Sequence, residues 1–101
     1  MSTKIKTPQY QNHLVYYRIR MRLTKEHVAT LLGHKSARTV VRLERGHNLP
    51  GLLTLFRLSA ILRVPADFLY RDLYMEVRSD IRKREERMPV GQQGVLPLVM
   101  R

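Results

Sequence analysis

Two short amphipathic helices joined by a tight link constrain the fold of this chain more than any other feature of its sequence. The first predicted helix, 25–32, follows Thr24, a good N-cap, and Gly33 suits the left-handed position that ends a helix. The second predicted helix, 37–45, follows another candidate N-cap, Ser36. Helical spacing then places five apolar side chains on the inner faces of this pair: Val28, Ala29, Leu32, Val40 and Leu43.

The short link between the two helices is typical of the helix-turn-helix motif, in which the second helix enters the major groove of DNA. Ala29 is small enough to let the helices approach, and the link Gly33-His34-Lys35 permits a sharp turn. Val40 and Leu43 lie three residues apart and can anchor the second helix from below. Four residues are then expected on its outer face: Ala37, Arg38, Val41 and Arg42.

Positive charge is concentrated in the first two thirds of the chain, whose formal net charge is +11. Residues 1–66 contain twelve Lys and Arg against two acids, Glu26 and Glu44, whereas residues 67–101 contain seven against six. A field segregated in this way attracts polyanions and speeds their encounter. Together with the helix-turn-helix pattern it predicts double-stranded DNA as the partner. A membrane surface is not expected, because no long basic helix with an aromatic apolar face is present.

Three further helical patterns complete the predicted all-α fold. One covers 10–22, and another, 52–62, is apolar on most sides and is expected to be the central core element. Pro65 suits the first turn of a further helix, which either runs on to about Arg87 or breaks near Asp72. The predicted organisation is an N-terminal arm (1–11), a DNA-binding domain (12–70), a helical extension (71–87) and an irregular tail (88–101).

The stretch from Leu14 to Tyr70 resembles the phage-repressor and Cro-like (XRE) helix-turn-helix family. Three blocks carry the resemblance: LTKEHVATLLG (23–33), TVVRLERG (39–46) and LPGLLTLFRLSAILRVPADFLY (49–70). The resemblance implies a compact five-helix, lambda-repressor-like DNA-binding domain. It also implies a transcriptional regulator, in most members a protein that binds DNA as a homodimer.

The resemblance implies roles for particular residues of this chain. Base edges are expected to meet Ser36, Ala37, Arg38 and Arg42, and Arg18 with Glu44 is expected to form a structural ion pair. Three positions depart from the common pattern: Arg63 replaces a frequent Gly, and Leu53 and Val41 are apolar where the family is often polar. Backbone contacts to DNA are expected from Lys25, Lys35, His34, Arg22, Arg45, His47 and Asn48.

Other functional classes lack their characteristic residues. The chain contains no cysteine, which excludes disulfides and Cys-based zinc sites and is compatible with a reducing cytoplasm. The histidines at 13, 27, 34 and 47 share no metal-ligand spacing, so no metal or other cofactor is expected. No Ser-His-Asp arrangement, phosphate-cradling loop or HExxH motif appears, which predicts that the protein is not an enzyme. The start is polar and no apolar run approaches about 20 residues, so a cytoplasmic location is expected.

A second interpretation stays open, in which an antitoxin or adaptor uses the same fold mainly to bind protein. The apolar stretch VLPLVM at 95–100 favours it, and such a partner would bind within 69–101. The stripe Leu69-Leu73-Val77-Ile81 either packs within the chain or forms a homodimer interface. A co-purifying protein partner favours the adaptor, whereas tight duplex binding by the protein alone favours the regulator.

Overall fold

The computed structural model describes residues 10–89, which are helical with short connections and contain no strand. The predicted all-α fold is confirmed, and α2 and α4 begin and end at the predicted residues. The arm residues 1–9 and the tail residues 90–101 lie outside the described part of the chain. The helices are α1 (Leu14–Arg20), α2 (Lys25–Leu32), α3 (Arg38–Glu44), α4 (Leu52–Leu62), α5 (Ala66–Leu69) and α6 (Arg71–Glu86).

The core lies between α1, α2, α3, α4 and α5, and each of these helices contributes at least one buried side chain. Full burial of a Leu or Val side chain stabilises a fold by about 1.5–3 kcal/mol. The five inward positions predicted for α2 and α3 are all buried, which confirms the predicted inner faces. The complete core comprises Leu14, Val28, Ala29, Leu32, Val40, Leu43, Leu58, Leu62, Leu69 and Tyr70.

Both ends of α2 are held by the residues that the sequence predicts. The Thr24 hydroxyl accepts a hydrogen bond from the His27 amide at 3.0 Å, and the Thr24 amide donates to His27 Nδ1 at 3.2 Å. This reciprocal pair is a capping box in which histidine replaces the usual Glu or Gln. At the other end Gly33 adopts a left-handed conformation with φ of +88°. The chain therefore turns toward α3 without steric strain.

The start of α1 differs from the prediction. The helix begins at Leu14 rather than at residue 10, because the preceding amides bond to distant parts of the chain. The Tyr10 amide donates to the Gly46 carbonyl at 2.8 Å, and the His13 amide donates to the Leu69 carbonyl at 2.9 Å. Residues 10–13 therefore form a non-helical segment that is bonded to the loop after α3 and to the end of α5.

The prediction of Ser36 as the N-cap of α3 is wrong by one residue. The N-cap is Ala37, which offers no side-chain hydrogen bond, and the helix proper begins at Arg38. Ser36 Oγ lies 3.4 Å from the Arg38 amide, a long contact that does not cap the first turn well.

Helix α4 is only half buried, which corrects its predicted place at the centre of the core. Leu58 and Leu62 are buried on its inner side. On the opposite side Leu52, Leu53 and Phe56 are 68%, 59% and 56% exposed. The sequence of α4 is apolar on most sides because one apolar face packs against the core and a second apolar face is exposed to solvent.

The chain breaks at Tyr70 and restarts as α6, which settles the alternative between a continuous and an interrupted helix. Tyr70 has φ of −126° and ψ of 54°, which no α-helix accommodates. Of the stripe that begins at Leu69, Leu73 packs against the core while Val77 and Ile81 are exposed. Intramolecular packing therefore accounts for the first half of the stripe alone.

Candidate nucleic-acid interface

The outer face of α3 is basic, because burial of the apolar residues of this helix orients its arginines toward solvent. Val40 and Leu43 are buried, and the helix therefore turns Arg38 and Arg42 outward, where both are exposed. The two arginines stand four residues apart, so they lie one above the other on a single helix face. Arg45 follows one turn later and is also exposed. Three guanidinium groups thus line one side of this short helix.

The link between α2 and α3 adds polar groups to the same end of the molecule. His34, Lys35 and Ser36 are all exposed, and the His34 amide donates to the Ala29 carbonyl at 2.9 Å. Lys25, at the first turn of α2, is half-buried. The remaining residues predicted to contact DNA are also exposed: Arg22, His47 and Asn48.

Ala37 departs from its predicted place on the outer face. Its side chain is partly buried and packs against the core, because this residue stands at the N-cap, before the helical turn that carries Arg38 outward. Val41 is also partly buried. Ala37 therefore leaves the outward face of α3, whereas Val41 remains partly exposed beside Arg38 and Arg42.

Arg18 and Glu44 form a tight ion pair beneath this surface. Arg18 Nε lies 2.6 Å from Glu44 Oε2, and the two side chains are 12% and 5% exposed. A second hydrogen bond joins Arg18 Nη2 to Glu44 Oε1 at 3.4 Å, and Arg18 Nη1 donates to the Leu23 carbonyl at 3.0 Å. One guanidinium therefore links α1, the entry to α2 and the end of α3. The pair also neutralises one of the two acids in residues 10–66.

Asn12 has a role that the sequence analysis missed. Its Nδ2 donates to the carbonyls of Tyr10 and Leu43, each at 2.9 Å, and its Oδ1 accepts from the Leu14 amide at 3.1 Å. The side chain therefore accepts from the first amide of α1 and donates to a carbonyl at the end of α3. An Asn two residues before the first buried apolar residue is the signal that could have revealed it.

The loop after α3 folds back onto the helix. Gly46 has φ of +80°, and a Cβ there would lie 2.9 Å from the Tyr10 amide nitrogen and carbonyl oxygen. The His47 amide donates to the Arg42 carbonyl at 3.0 Å. In the amide orientation that satisfies both neighbours, Asn48 Nδ2 donates to the His47 carbonyl at 3.0 Å and Oδ1 accepts from Arg42 Nε at 3.2 Å. The loop after α3 therefore bonds to both the backbone carbonyl and the side chain of Arg42.

Two further structural tests bear on other functions. Within residues 10–89, no three histidine or acidic side chains come together in a group that could hold a metal ion. Among those same residues, no helix combines the length and apolarity needed to cross a lipid bilayer.

Comparison with known proteins agrees with this geometry. No curated protein sequence matches the chain. A family model described as helix-turn-helix matches residues 14–69, which is more than half of the chain and spans α1 to α5. The basic face of α3, the glycine turn before it and the buried anchors beneath it all fall within the matched region. The chain belongs to the XRE-type helix-turn-helix family of DNA-binding proteins.

Proposed function

We propose that this protein is a sequence-specific regulator of transcription, of the repressor type, that acts in the cytoplasm by reading the major groove of duplex DNA with α3. The observation that carries the proposal is the division of α3 into a buried apolar side and an exposed side bearing Arg38 and Arg42. A helix anchored in this way can enter a groove as a rigid body. Occupation of a promoter would then exclude polymerase.

Affinity would come mainly from contacts between basic side chains and phosphates, which release condensed counterions. Glu44 is consumed by Arg18, so Glu26 is the one remaining acid in residues 10–66 that could oppose this attraction. Lys35 lies in the exposed link before α3 and is proposed to meet phosphate. The same role is proposed for Lys25, His34, Arg22, Arg45 and His47.

Specificity would come from Arg38, supported by Arg42 and Ser36. Arg38 stands at the first helical residue of α3, where a side chain can descend to the floor of the groove. Its planar fork matches the O6 and N7 acceptors of guanine, so we infer that it reads a G. Its guanidinium has no intramolecular partner in the part of the chain that the structure describes, which leaves all its donors available.

The test compares Arg38→Ala with Lys35→Ala on an operator selected from a random duplex pool. Arg38→Ala should cost about 1–3 kcal/mol on the best operator and relax the preference at one base pair. Lys35→Ala should weaken every sequence about equally and lower the salt slope by roughly one unit. Arg78→Ala, on the exposed helix α6, is the matched control and should leave binding nearly unchanged.

Two results would overturn the proposal. Equal weakening of all sequences by Arg38→Ala would make Arg38 a phosphate ligand and move the recognition surface elsewhere. Failure of the intact protein to select any duplex, together with stable capture of a protein partner through 69–101, would instead favour the antitoxin or adaptor.

We further propose that the protein binds DNA as a two-fold dimer through the outer face of α4. Leu52, Leu53, Phe56 and Ala60 form this outer face, and all four are exposed. An apolar stripe of this kind on a soluble domain marks an interaction site. The four residues of the α4 stripe are uncharged, so two copies of this cationic chain could pack them together, with the exposed Arg57 at the edge of the contact.

The position of the stripe favours a second copy as its occupant. It begins at Leu52, directly after the loop that follows α3, so whatever covers it stands beside the DNA-binding surface. A second copy in that place would present its own α3 to the same duplex, with half-site centres roughly 34 Å apart. Phe56→Glu should therefore reduce binding to a palindromic site to the level of a single half-site. Val77→Glu on α6 is the control that keeps the dimer.

A monomer would contradict the dimer proposal. The proposal would be wrong if the protein–DNA complex sedimented with one copy of the protein per site. A selected motif without palindromic symmetry would also contradict it. Loss of the dimer by Val77→Glu but not by Phe56→Glu would place the interface on 69–81 instead.

A further inference from the structure

We infer that Asn48 is a positioning residue for Arg42, which orients the guanidinium of that side chain before DNA arrives. This inference rests on the proposed function, because it assigns a role within the same DNA-binding surface. It replaces the expectation that Asn48 itself contacts the DNA backbone.

Both polar side-chain atoms of Asn48 take part in hydrogen bonds within the chain. In the amide orientation that satisfies both neighbours, Oδ1 accepts from Arg42 Nε at 3.2 Å and Nδ2 donates to the His47 carbonyl at 3.0 Å. The two bonds fix the amide between the loop and the arginine. The Arg42 carbonyl meanwhile accepts from the His47 amide at 3.0 Å, so the same loop grips Arg42 by backbone and side chain.

The loop that carries Asn48 is itself held firmly. Gly46 turns in the left-handed region, and its carbonyl accepts from the Tyr10 amide at 2.8 Å. The backbone of Tyr10 lies so close that a Cβ at Gly46 would sit 2.9 Å from two of its atoms. Asn12 then ties the Tyr10 carbonyl to Leu43 of α3. The loop that carries the Asn48 amide is therefore fixed to the rest of the domain by hydrogen bonds and close packing.

The hydrogen bond from Arg42 Nε to Asn48 determines which nitrogens of the guanidinium remain available to DNA. An arginine whose Nε is bonded keeps its two terminal nitrogens free, and these can still grip two acceptors such as guanine O6 and N7 or two phosphate oxygens. Ordering a long side chain in advance removes a cost that binding would otherwise carry. Arg38 has no such side-chain support within residues 10–89, so the two arginines of α3 differ in preorganisation.

The experiment is a double-mutant cycle of Asn48→Ala and Arg42→Ala, measured on the selected operator and its single-base variants. Asn48→Ala should weaken binding roughly two- to tenfold, the cost of immobilising one flexible side chain. The loss should fall on the same base pair or phosphate that Arg42→Ala affects. In the Arg42→Ala background, Asn48→Ala should have little further effect, because the group it positions is gone.

Asn48→Asp is the conservative variant that separates the roles. Asp keeps an acceptor for Arg42 Nε, so the pattern of preferences among single-base variants should be retained. Its negative charge should lower affinity for all sequences together. Because Asn48 is exposed, none of these variants should change the melting temperature much.

Three outcomes decide the inference. Coupling between the two substitutions, with the preference pattern restored by Asn48→Asp, supports it. Equal weakening by Asn48→Ala in both backgrounds shows that Asn48 contacts phosphate directly and overturns it. No effect of Asn48→Ala on a protein that binds its operator normally also overturns it, whereas absence of operator binding by the unmodified protein is a failure of the proposed function.

Discussion

Helix α3 has 7 residues and buries two of them, whereas α6 has 16 residues and buries none. The same contrast holds for the bundle as a whole, because α1 to α5 are all shorter than α6 yet supply the core together with Tyr70. Isolated helices shorter than about 12–15 residues are marginal in water. The short helices of the bundle must therefore depend on one another.

Apart from Leu73, which packs against the core, helix α6 makes its contacts at the surface. Arg71 pairs with Asp67 at 3.1 Å and lies 5.5 Å and 5.9 Å from the ring centroids of Phe68 and Tyr74. Arg82 Nη1 pairs with Glu85 at 3.2 Å. Surface ion pairs of this kind contribute about 0–1 kcal/mol each. An ion pair therefore contributes more to stability in the bundle than on α6, because the Arg18–Glu44 pair is largely buried and the pairs of α6 are exposed.

Removing one partner of the buried ion pair should have the largest effect. Glu44→Ala leaves the Arg18 guanidinium largely out of water without its anion, which should cost about 3–5 kcal/mol. For a domain of this size such a loss lowers Tm by roughly 12 °C or more. Thermal unfolding followed by circular dichroism measures it.

Arg82→Gln in α6 is the matched control for Glu44→Ala, because it breaks an exposed pair whose side chains are 55% and 37% exposed. Its effect should stay below about 0.5 kcal/mol. Glu44→Gln keeps the size of the side chain and should fall between the two. Equal melting temperatures for Glu44→Ala and the unmodified protein would show that the pair has no structural role.

A cavity in the core should rank next. Leu69 is fully buried at the junction of the bundle and α6, so Leu69→Ala should cost about 2–5 kcal/mol in urea denaturation. Leu73→Ala, one turn later on the partly packed side of α6, should cost less than half as much. A larger loss at Leu73 than at Leu69 would mean that α6 belongs to the core.

The sequence predicts the parts of this fold whose signals are local. Thr24 and Gly33 determine both ends of α2, because capping and the left-handed turn involve neighbouring residues. Arg38 and Arg42 could be placed outward because Val40 and Leu43 had to face inward. Such inferences require only the helical period.

Other parts depend on residues far apart in the chain and could not be predicted in the same way. Helix α1 starts late because the Tyr10 amide bonds to Gly46. The exposed face of α4 was missed because an all-round apolar helix does not say which sides have neighbours. The role of Asn48 depends on a loop that folds back onto Arg42.

Tyr70, where the bundle meets α6, should give a smaller effect of the opposite sign. Its hydroxyl is buried without a hydrogen-bond partner among the described residues, and burial raises its pKa from 10.0 to about 12. Tyr70→Phe removes an unsatisfied polar group and should increase the free energy of unfolding by about 1 kcal/mol at pH 7. Urea denaturation of both proteins measures the gain.

The advantage of Tyr70→Phe should grow at alkaline pH. Because the pKa of Tyr70 is higher in the folded state, the unfolded chain loses its proton first, and the unmodified protein loses stability as pH rises from 10 toward 12. The phenylalanine variant lacks this loss. A destabilised Tyr70→Phe at pH 7 would show instead that the hydroxyl makes a favourable hydrogen bond.

The smallest effect is expected on the outer half of α6. Val77→Ala and Ile81→Ala remove side chains that are 50% and 40% exposed, while alanine slightly favours the helix. Each should therefore change the free energy of unfolding by less than about 0.5 kcal/mol.

The measurement is Tm at low and high protein concentration, with Phe56→Ala on α4 as the comparison. If α4 forms the dimer interface, Tm rises with concentration for the unmodified protein and both α6 variants, but much less for Phe56→Ala, because association stabilises the folded state by mass action. The opposite pattern, in which the α6 variants lose that dependence, would show that α6 is stabilised by another copy of the chain. A loss above about 1 kcal/mol at every concentration would show that α6 packs within its own chain, and the contrast with the bundle would then disappear.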